Sequence, residues 1–520
     1  MAHRVIFKPI TTASLGSVNI VSSRYLSGRN GSWFLLRRHI RSYALRDRDR
    51  MDEEYRIMRA PFRLRRLWDR LAEDRSLASV VENLEIQREV WLWASDPDPP
   101  KVPQDYMEEA VALLPGSKVT EEDDIPHLRE TEKSLVRALR NMSNLKGFKW
   151  GRVPPLIDAR YDVDASEDLW TALRSIDTLR ELEVVDASDP SQCVIRTKFG
   201  LKWHRRVHDS GIFTLGHLTV FKYATFGYNG QSERIPTEAM TDMLVNRCAD
   251  LRELELSFAQ FNNQEDDDIA LDFTSTGLNT LFTLANWPQL ESIGLYGAHM
   301  RPDSLSQFLT RHRSLRSFRV MESCTPARFL KADEFPLVQD GSIMDKFSFP
   351  EDTFSELSSL SVPSYFISWV LSSPHRKLLA LEDIGWLESE HMTDELFMLL
   401  GELPRLRVLR MSSYEADDLR ALSSYAPGLR EIYGSINPRS LAHVLDAFAL
   451  FPQLEVVDNY ASWPQRLDEE ETPRLLARLG GACSNLRRFH GYDIGRTVNG
   501  DVVARNVRTN LFGVPSQIFV

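Results

Sequence analysis

The sequence predicts an α/β solenoid: a curved parallel sheet with helices on its convex side, preceded by a short helical N-terminal segment. Three observations carry this: an apolar signature that recurs along most of the chain, capped helical stripes between its copies, and prolines that end those stripes. The signature is Leu, two residues, an apolar residue, one residue, another apolar residue. Clear copies are Leu179-Leu182-Val184, Leu251-Leu254-Leu256, Leu290-Ile293-Leu295, Leu315-Phe318-Val320, Leu357-Leu360-Val362 and Leu406-Leu409-Met411. Looser ones are Val81-Leu84-Ile86, Leu145-Phe148-Trp150, Leu218-Phe221-Tyr223, Leu378-Leu381-Asp383, Leu429-Ile432-Gly434, Leu454-Val457-Asn459 and Leu486-Phe489-Gly491. The last two apolar positions share one face of a short strand, because side chains i and i+2 point the same way.

The segments ahead of these strands have helical spacing instead. Asp303 precedes Leu305, Phe308 and Leu309; Thr393 precedes Leu396, Leu399 and Leu400; Leu441, Val444, Leu445 and Phe448 precede Leu454. An oxygen-bearing side chain before such a stripe accepts from the free amides of a helix start. Pro288, Pro404, Pro427 and Pro452 stand two residues before a strand leucine, where a ring without an N–H stops the helix. Each unit therefore reads as helix, turn, strand. One unit cannot bury its stripe alone, whereas stacked neighbours can.

Repetition accounts for the length. At 520 residues the chain is long for one ordinary domain, and 66 of them are leucine. Hydrophobic residues at 42% and charged residues at 26% are globular values. Four cysteines without a CxxC pair argue against a disulfide framework or a zinc knuckle. No apolar run approaches the roughly 18 residues of a membrane span. A net charge of −11 argues against a general nucleic-acid binder. Residues 1–46 stand apart, with eight Arg or Lys and no Asp or Glu.

The repeat resembles the leucine-rich repeat family, in the long and irregular α/β type of ribonuclease-inhibitor-like domains. The resemblance covers residues 77–495, with a helical linker at 47–76, a C-terminal cap or tail at 496–520, and long loops expected around 186–215, 258–273 and 321–350. In the N-terminal segment, Ser14-Leu15-x-x-Val18-x-x-Val21-Ser22-Ser23-Arg24 with Leu35-Leu36-Arg37-Arg38-His39-Ile40 resembles the later half of an F-box, as in fungal F-box/leucine-rich-repeat proteins. The Leu-Pro-x-Glu opening of that family is absent. Two other readings of residues 1–46 stay open: a mitochondrial transit peptide, whose composition is Arg- and Ser-rich and free of acids, and a plain basic terminus.

The motifs of chemistry are mostly missing. His204 and His208 have the i, i+4 spacing of zinc ligands but lack the adjacent Glu of the metalloprotease motif. Asn262 through Asp268 is acidic without the Gly and Glu of a calcium loop, and the runs at 121–124 and 468–471 are similar. No Gly-x4-Gly-Lys-Ser/Thr or Gly-x-Ser-x-Gly sequence occurs. Cys248 falls on a helical stripe and Cys483 at a repeat turn, so both read as packing residues. No catalytic residue, metal or cofactor is expected.

What remains is a recognition surface. Aromatic side chains on the concave face or its loops make good interface anchors; the candidates are Trp150, Tyr228, Trp386, Tyr433, Tyr460 and Trp463, each with a packing role as its plain alternative. The resemblance implies a non-enzymatic substrate receptor of a ubiquitin ligase. It would touch a Skp adaptor, and through it a cullin, by way of Leu15, Val18, Val21, Leu35 and Leu36. A repeat scaffold without adaptor contact is the alternative. The expected location is the cytoplasm or nucleus, with mitochondria as the alternative that residues 1–46 raise.

Overall fold

The computed structural model describes residues 55–87, 101–106, 125–150, 165–186, 195–197, 200–202, 211–226, 237–259, 276–296, 298, 302–321, 350, 353–362, 364–372, 378–388, 392–436, 441–458, 471–489, 492–496, 502–506 and 517–518. The described parts of residues 53–520 form one compact unit.

Strands and helices alternate along it. The strands are β1 (Ile57–Pro61), β2 (Asn83–Gln87), β3 (Gly147–Trp150), β4 (Glu181–Asp186), β5 (Ile195–Thr197), β6 (Gly200–Lys202), β7 (Val220–Phe226), β8 (Glu253–Ala259), β9 (Ser292–Tyr296), β10 (Ser317–Met321), β11 (Ser359–Ser361), β12 (Asp383–Leu387), β13 (Val408–Tyr414), β14 (Glu431–Ile436), β15 (Val456–Asp458), β16 (Arg488–Phe489), β17 (Tyr492–Arg496), β18 (Val502–Asn506) and β19 (Gln517–Ile518). From β1 to β16, leaving out the separate β5–β6 hairpin, every strand pairs parallel with the next. Parallel neighbours need a crossover, and helices supply most of these, among them Ile125–Asn141, Thr237–Arg247, Pro302–Arg311, Asp394–Gly401 and Ala416–Tyr425. The sheet ends in the antiparallel β17, β18 and β19.

The repeated apolar positions are the core. Leu84, Phe148, Leu182, Phe221, Leu254, Ile293, Phe318, Leu360, Ile384, Leu409, Ile432 and Val457 follow one another across the sheet, all buried. The helix leucines close over the same face in one continuous cluster. The turn also repeats. The amide of the strand leucine donates to the carbonyl three residues earlier, as in Leu145 to Met142, Leu251 to Cys248, Leu290 to Trp287 and Leu454 to Phe451. The residue after that leucine donates to its counterpart in the preceding unit: Arg407 to Glu382, Arg430 to Arg407, Glu455 to Arg430. These bonds fix the register of the stack.

The sheet begins earlier than the sequence reading placed it. Within the expected helical linker at 47–76, β1 carries the buried Met58 and Ala60, and Tyr55, also buried, precedes it. They occupy the same three positions with less obvious residues. A helix does follow, at Arg65–Glu73, burying Leu67, Trp68 and Leu71. The copy Leu378-Leu381-Asp383 is displaced by one turn of the motif: Leu381, Ile384 and Leu387 are the buried residues, and Asp383 lies on the other face. A register shift between Ile384 and Leu387 widens the spacing there, as an extra residue in a strand does. Thr393 caps its helix as expected, its hydroxyl accepting from the Leu396 amide at 3.3 Å. Asp303 instead lies in the first turn of a helix that starts at Pro302. The long loops fall largely outside the described residues, and the sheet continues past residue 495 through β18 and β19.

Candidate functional site

Among the described residues, helices cover one face of the sheet and none covers the other, open face, whose side chains are partly exposed, with Ser361 buried. The central row of this open face consists of the residues between the two buried apolar positions of each strand. Register places them side by side: Arg59, Glu85, Lys149, Glu183, Lys222, Glu255, Gly294, Arg319, Ser361 and Gly385. A register shift follows, then Arg410, Tyr433 and Asp458. From β1 to β8 the sign of charge alternates strictly.

Adjacent strands lie about 4.8 Å apart, within reach of an ion pair, so this alternation closes on itself. Arg59 Nε is 3.1 Å from Glu85. Lys149 Nζ lies between Glu85 at 3.8 Å and Glu183 at 3.0 Å. Burial disfavours the Lys149 ammonium, yet its hydrogen bond to Glu183 and the charges of Glu183 and Glu85 outweigh that and raise its pKa. Lys222 turns to Glu253, at 2.8 Å, one row away.

Two glycines change the pattern. Gly294 has no side chain, so Arg319 reaches across it to Glu255 at 3.6 Å. At Gly385, an added Cβ would lie 3.4 Å from Cδ of Arg410. Arg410 stretches past that gap to Asp383, its Nη1 2.6 and 2.5 Å from the two carboxylate oxygens. The same guanidinium lies 5.1 Å from the centre of the Tyr433 ring, a cation–π distance. The Tyr433 hydroxyl donates to Glu431 at 2.7 Å. Arg410, Asp383, Tyr433 and Glu431 thus form one cluster on the open face.

The expected anchors fare differently. Tyr433 stands on this face. Trp150 does not: it is 0% exposed, packed edge-on against Phe62 at 5.9 Å and stacked on Phe148 at 6.1 Å. Its place in the signature is the second buried position, which faces the helices. It is a core residue. Trp386 belongs to β12, but its side chain lies outside the described residues, as do Tyr228, Tyr460, Trp463 and the adaptor candidates Leu15, Val18, Val21, Leu35 and Leu36. His204, His208 and the acidic run from Asn262 also lie outside. Among the described residues no three His, Cys, Asp or Glu side chains are grouped to hold a metal, and no helix is long and apolar enough to cross a membrane. Cys248 and Cys483 are buried, and desolvation pushes both thiols up to about 11. Such thiols are poor nucleophiles at neutral pH.

The expected aromatic anchors do not include the charged row. Its signal was the identity of the residue inside each apolar pair: Arg59, Glu85, Lys149, Glu183, Lys222 and Glu255 can be read directly from the sequence.

No family model matches the chain, and no curated protein matches it. Among solved structures, the complex of Rad7 and Elc1 from yeast aligns over 80% of this chain and 96% of that chain, at 11% identity and a TM-score of 0.35.

Proposed function

We propose that this leucine-rich-repeat-type solenoid is a non-catalytic recognition module that selects a protein partner by the charge register of its open sheet face. The observation that carries the reading is the single row from Arg59 to Asp458, one residue per strand, on a face that the described helices leave uncovered. A partner that supplies opposite charges in the same register gains at each charged position from Arg59 to Glu255, whereas one shifted by a strand meets like charges. Electrostatic complementarity of this kind sets specificity and register more than raw affinity.

The finer reading follows from the F-box resemblance of residues 1–46: the module is a substrate receptor of a ubiquitin ligase, contacting a Skp adaptor through Leu15, Val18, Val21, Leu35 and Leu36, and a cullin through that adaptor. Affinity purification with mass spectrometry from the native organism tests both levels. The full chain is expected to bring down adaptor and cullin peptides together with a partner set. A Glu85→Lys, Lys149→Glu, Glu183→Lys variant is expected to keep the adaptor and lose the partners. Partners unchanged by the reversal would overturn the role of the row. The same purification from a chain lacking residues 1–46 is expected to lose the adaptor. Adaptor peptides absent from both chains would leave a repeat scaffold, and mitochondrial targeting of a reporter fused to residues 1–46 would assign that segment to import.

A further inference from the structure

The central row of the open face dips once. From Arg59 to Asp458 its members are partly exposed, save Gly294, Ser361 and Gly385 on β9, β11 and β12, which are buried. One cation rises from this depression. Arg319 pairs in register with Gly294 on one side and Ser361 on the other. Ser317, two residues earlier on the same strand and face, pairs with Ser292 and Ser359. Within these two rows, glycine and serine are the only neighbours of Arg319 across three strands.

Arg319 is also the least satisfied cation of the row. Arg59, Lys149, Lys222 and Arg410 each hold an acid at 3.1 Å or less. Arg319 comes no nearer than 3.6 Å to Glu255. It makes no hydrogen bond among the described residues, and its Nε is buried without an acceptor, although the side chain as a whole is 33% exposed. A buried donor left in this way is costly, and such orphans in a native fold mark a missing acceptor more often than an accident. The hydroxyl of Ser361, a residue only 3% exposed, is also without a partner among the described residues. It lies 2.3 Å from where a Cβ on Gly385 would stand, so it points into the space above that glycine. An arginine with idle N–H groups and a serine with an idle hydroxyl thus stand on neighbouring strands over a floor of small residues.

The surrounding charges narrow the ligand. Four acids border the depression, and each has a cation beside it. Glu255 has Arg319 and Asp383 has Arg410; Glu291 and Glu382 stand next to Arg316 and Arg407 in the row that follows the strand leucines. The border is therefore neutral, and the donors inside it are left to an acceptor from outside. A carboxylate matches them: its two oxygens suit the fork of a guanidinium, and its single charge takes the place of Glu255. A phosphate brings a second charge, which Glu255 and Asp383 on either side repel. We propose that the depression at Arg319 holds one carboxylate of the protein partner, an Asp or Glu side chain, with Arg319 and the Ser361 hydroxyl as its donors. Glu255, two strands or about 9.6 Å away, then takes a basic residue of the same partner. The assignment rests on the reading that the open face binds a protein, and carries it past β8 to a single contact.

Panning a random-peptide display library on the full chain, with the Arg319→Gln chain as counter-target, tests the contact. The enriched peptides are expected to carry Asp or Glu with Lys or Arg about three residues away, the span of two strands in an extended segment. One of them, synthesised and titrated by fluorescence anisotropy, is expected to lose at least roughly tenfold in affinity on Arg319→Gln, and as much when its own acid becomes the amide. Arg319→Lys keeps the charge but not the fork and is expected to recover only part of the binding. The melting temperature is expected to stay unchanged in both variants, because Arg319 makes no hydrogen bond to the rest of the described protein. A clear fall in Arg319→Gln would mark a structural residue and overturn the assignment. Tighter binding of a phosphoserine version of the peptide would overturn the choice of a carboxylate. A library that does not distinguish the two targets, yet yields peptides sensitive to Glu85→Lys, Lys149→Glu, Glu183→Lys, would overturn this contact and leave the open-face reading standing. Peptides indifferent to both sets of changes would overturn the two together.

Discussion

The two halves of the open face rest on the same core but carry different surfaces. From β1 to β8 the central row alternates in charge, paired within the row from Arg59 to Glu183, while Lys222 turns to Glu253. From β10 to β15 it is interrupted by Ser361 and Gly385 and gathers into the Arg410, Asp383, Tyr433 and Glu431 cluster. The apolar rows beneath run through both halves, with register shifts at β12 and β13, Leu254 and Leu409 standing at equivalent places. Selection for folding therefore acts on the buried positions, and the residues between them are free to differ. In a stack where each unit contacts chiefly its neighbours, surfaces change from unit to unit without a change of fold.

The strongest test of a shared core is to break it in each half. Leu254→Asp and Leu409→Asp each place a carboxylate where no partner is available, and burying an unpaired charge costs roughly 4 kcal/mol or more. Equal losses are expected from denaturant unfolding, with amide exchange accelerating first around β8 in one variant and around β13 in the other. A much smaller loss at Leu409 would mean that the halves differ inside as well as outside.

A smaller effect is expected at the seam between the halves. His312 is 1% exposed. Its Nδ1–H donates to the Phe308 carbonyl at 2.7 Å, and its Nε2 accepts from the Trp287 amide at 3.0 Å. Burial, with the Arg311 charge adding, outweighs the Phe308 hydrogen bond and lowers its pKa to about 4. A proton on Nε2 would set two donors against each other. The ordinary value is about 6.5, so between pH 6.5 and 4 the unfolded chain binds more protons than the folded one. This contribution to stability is therefore complete above pH 6.5 and falls progressively toward pH 4, by up to about 3 kcal/mol. Chemical denaturation across that range is expected to show the loss in the wild type and a flatter profile in His312→Gln. Identical profiles would refute the assignment.

These particulars show which parts of the protein were legible in its sequence. Where the signature kept its fixed spacing with Leu, Ile, Val or Phe, strand, face and turn follow from that spacing, because a two-residue period and a stop before it leave few alternatives. Tyr55, Met58 and Ala60 escaped because small or amphipathic residues serve a position that only needs to be buried. Leu381-Ile384-Leu387 escaped because a register shift changes the spacing that a fixed pattern searches for. The surface was harder to read. The chemistry of Trp150 suits an anchor, whereas its position in the signature places it inside. The charged row is hidden in the sequence, since single Arg, Glu and Lys residues look like ordinary solvated side chains until the register sets them side by side.

The finest distinction between the halves is how strongly each pair of charges is coupled. Lys149 and Glu183 are 40% and 35% exposed, whereas Arg410 and Asp383 are 24% and 20% exposed and make two short contacts. Exposed pairs are screened by water and contribute about 0.2–1 kcal/mol, and charge-assisted bonds with more than one contact lie at the upper end. Double-mutant cycles to Ala are therefore expected to give roughly 0.3 kcal/mol for Lys149 with Glu183 and about 1 kcal/mol for Arg410 with Asp383. Raising the salt to about 1 M shortens the screening length to about 3 Å. That should abolish the first coupling and leave most of the second, since less of that pair is open to ions. Equal couplings with equal salt dependence would mean that the halves of the open face differ in sequence but not in electrostatics, and the contrast between ladder and cluster would then be one of composition only.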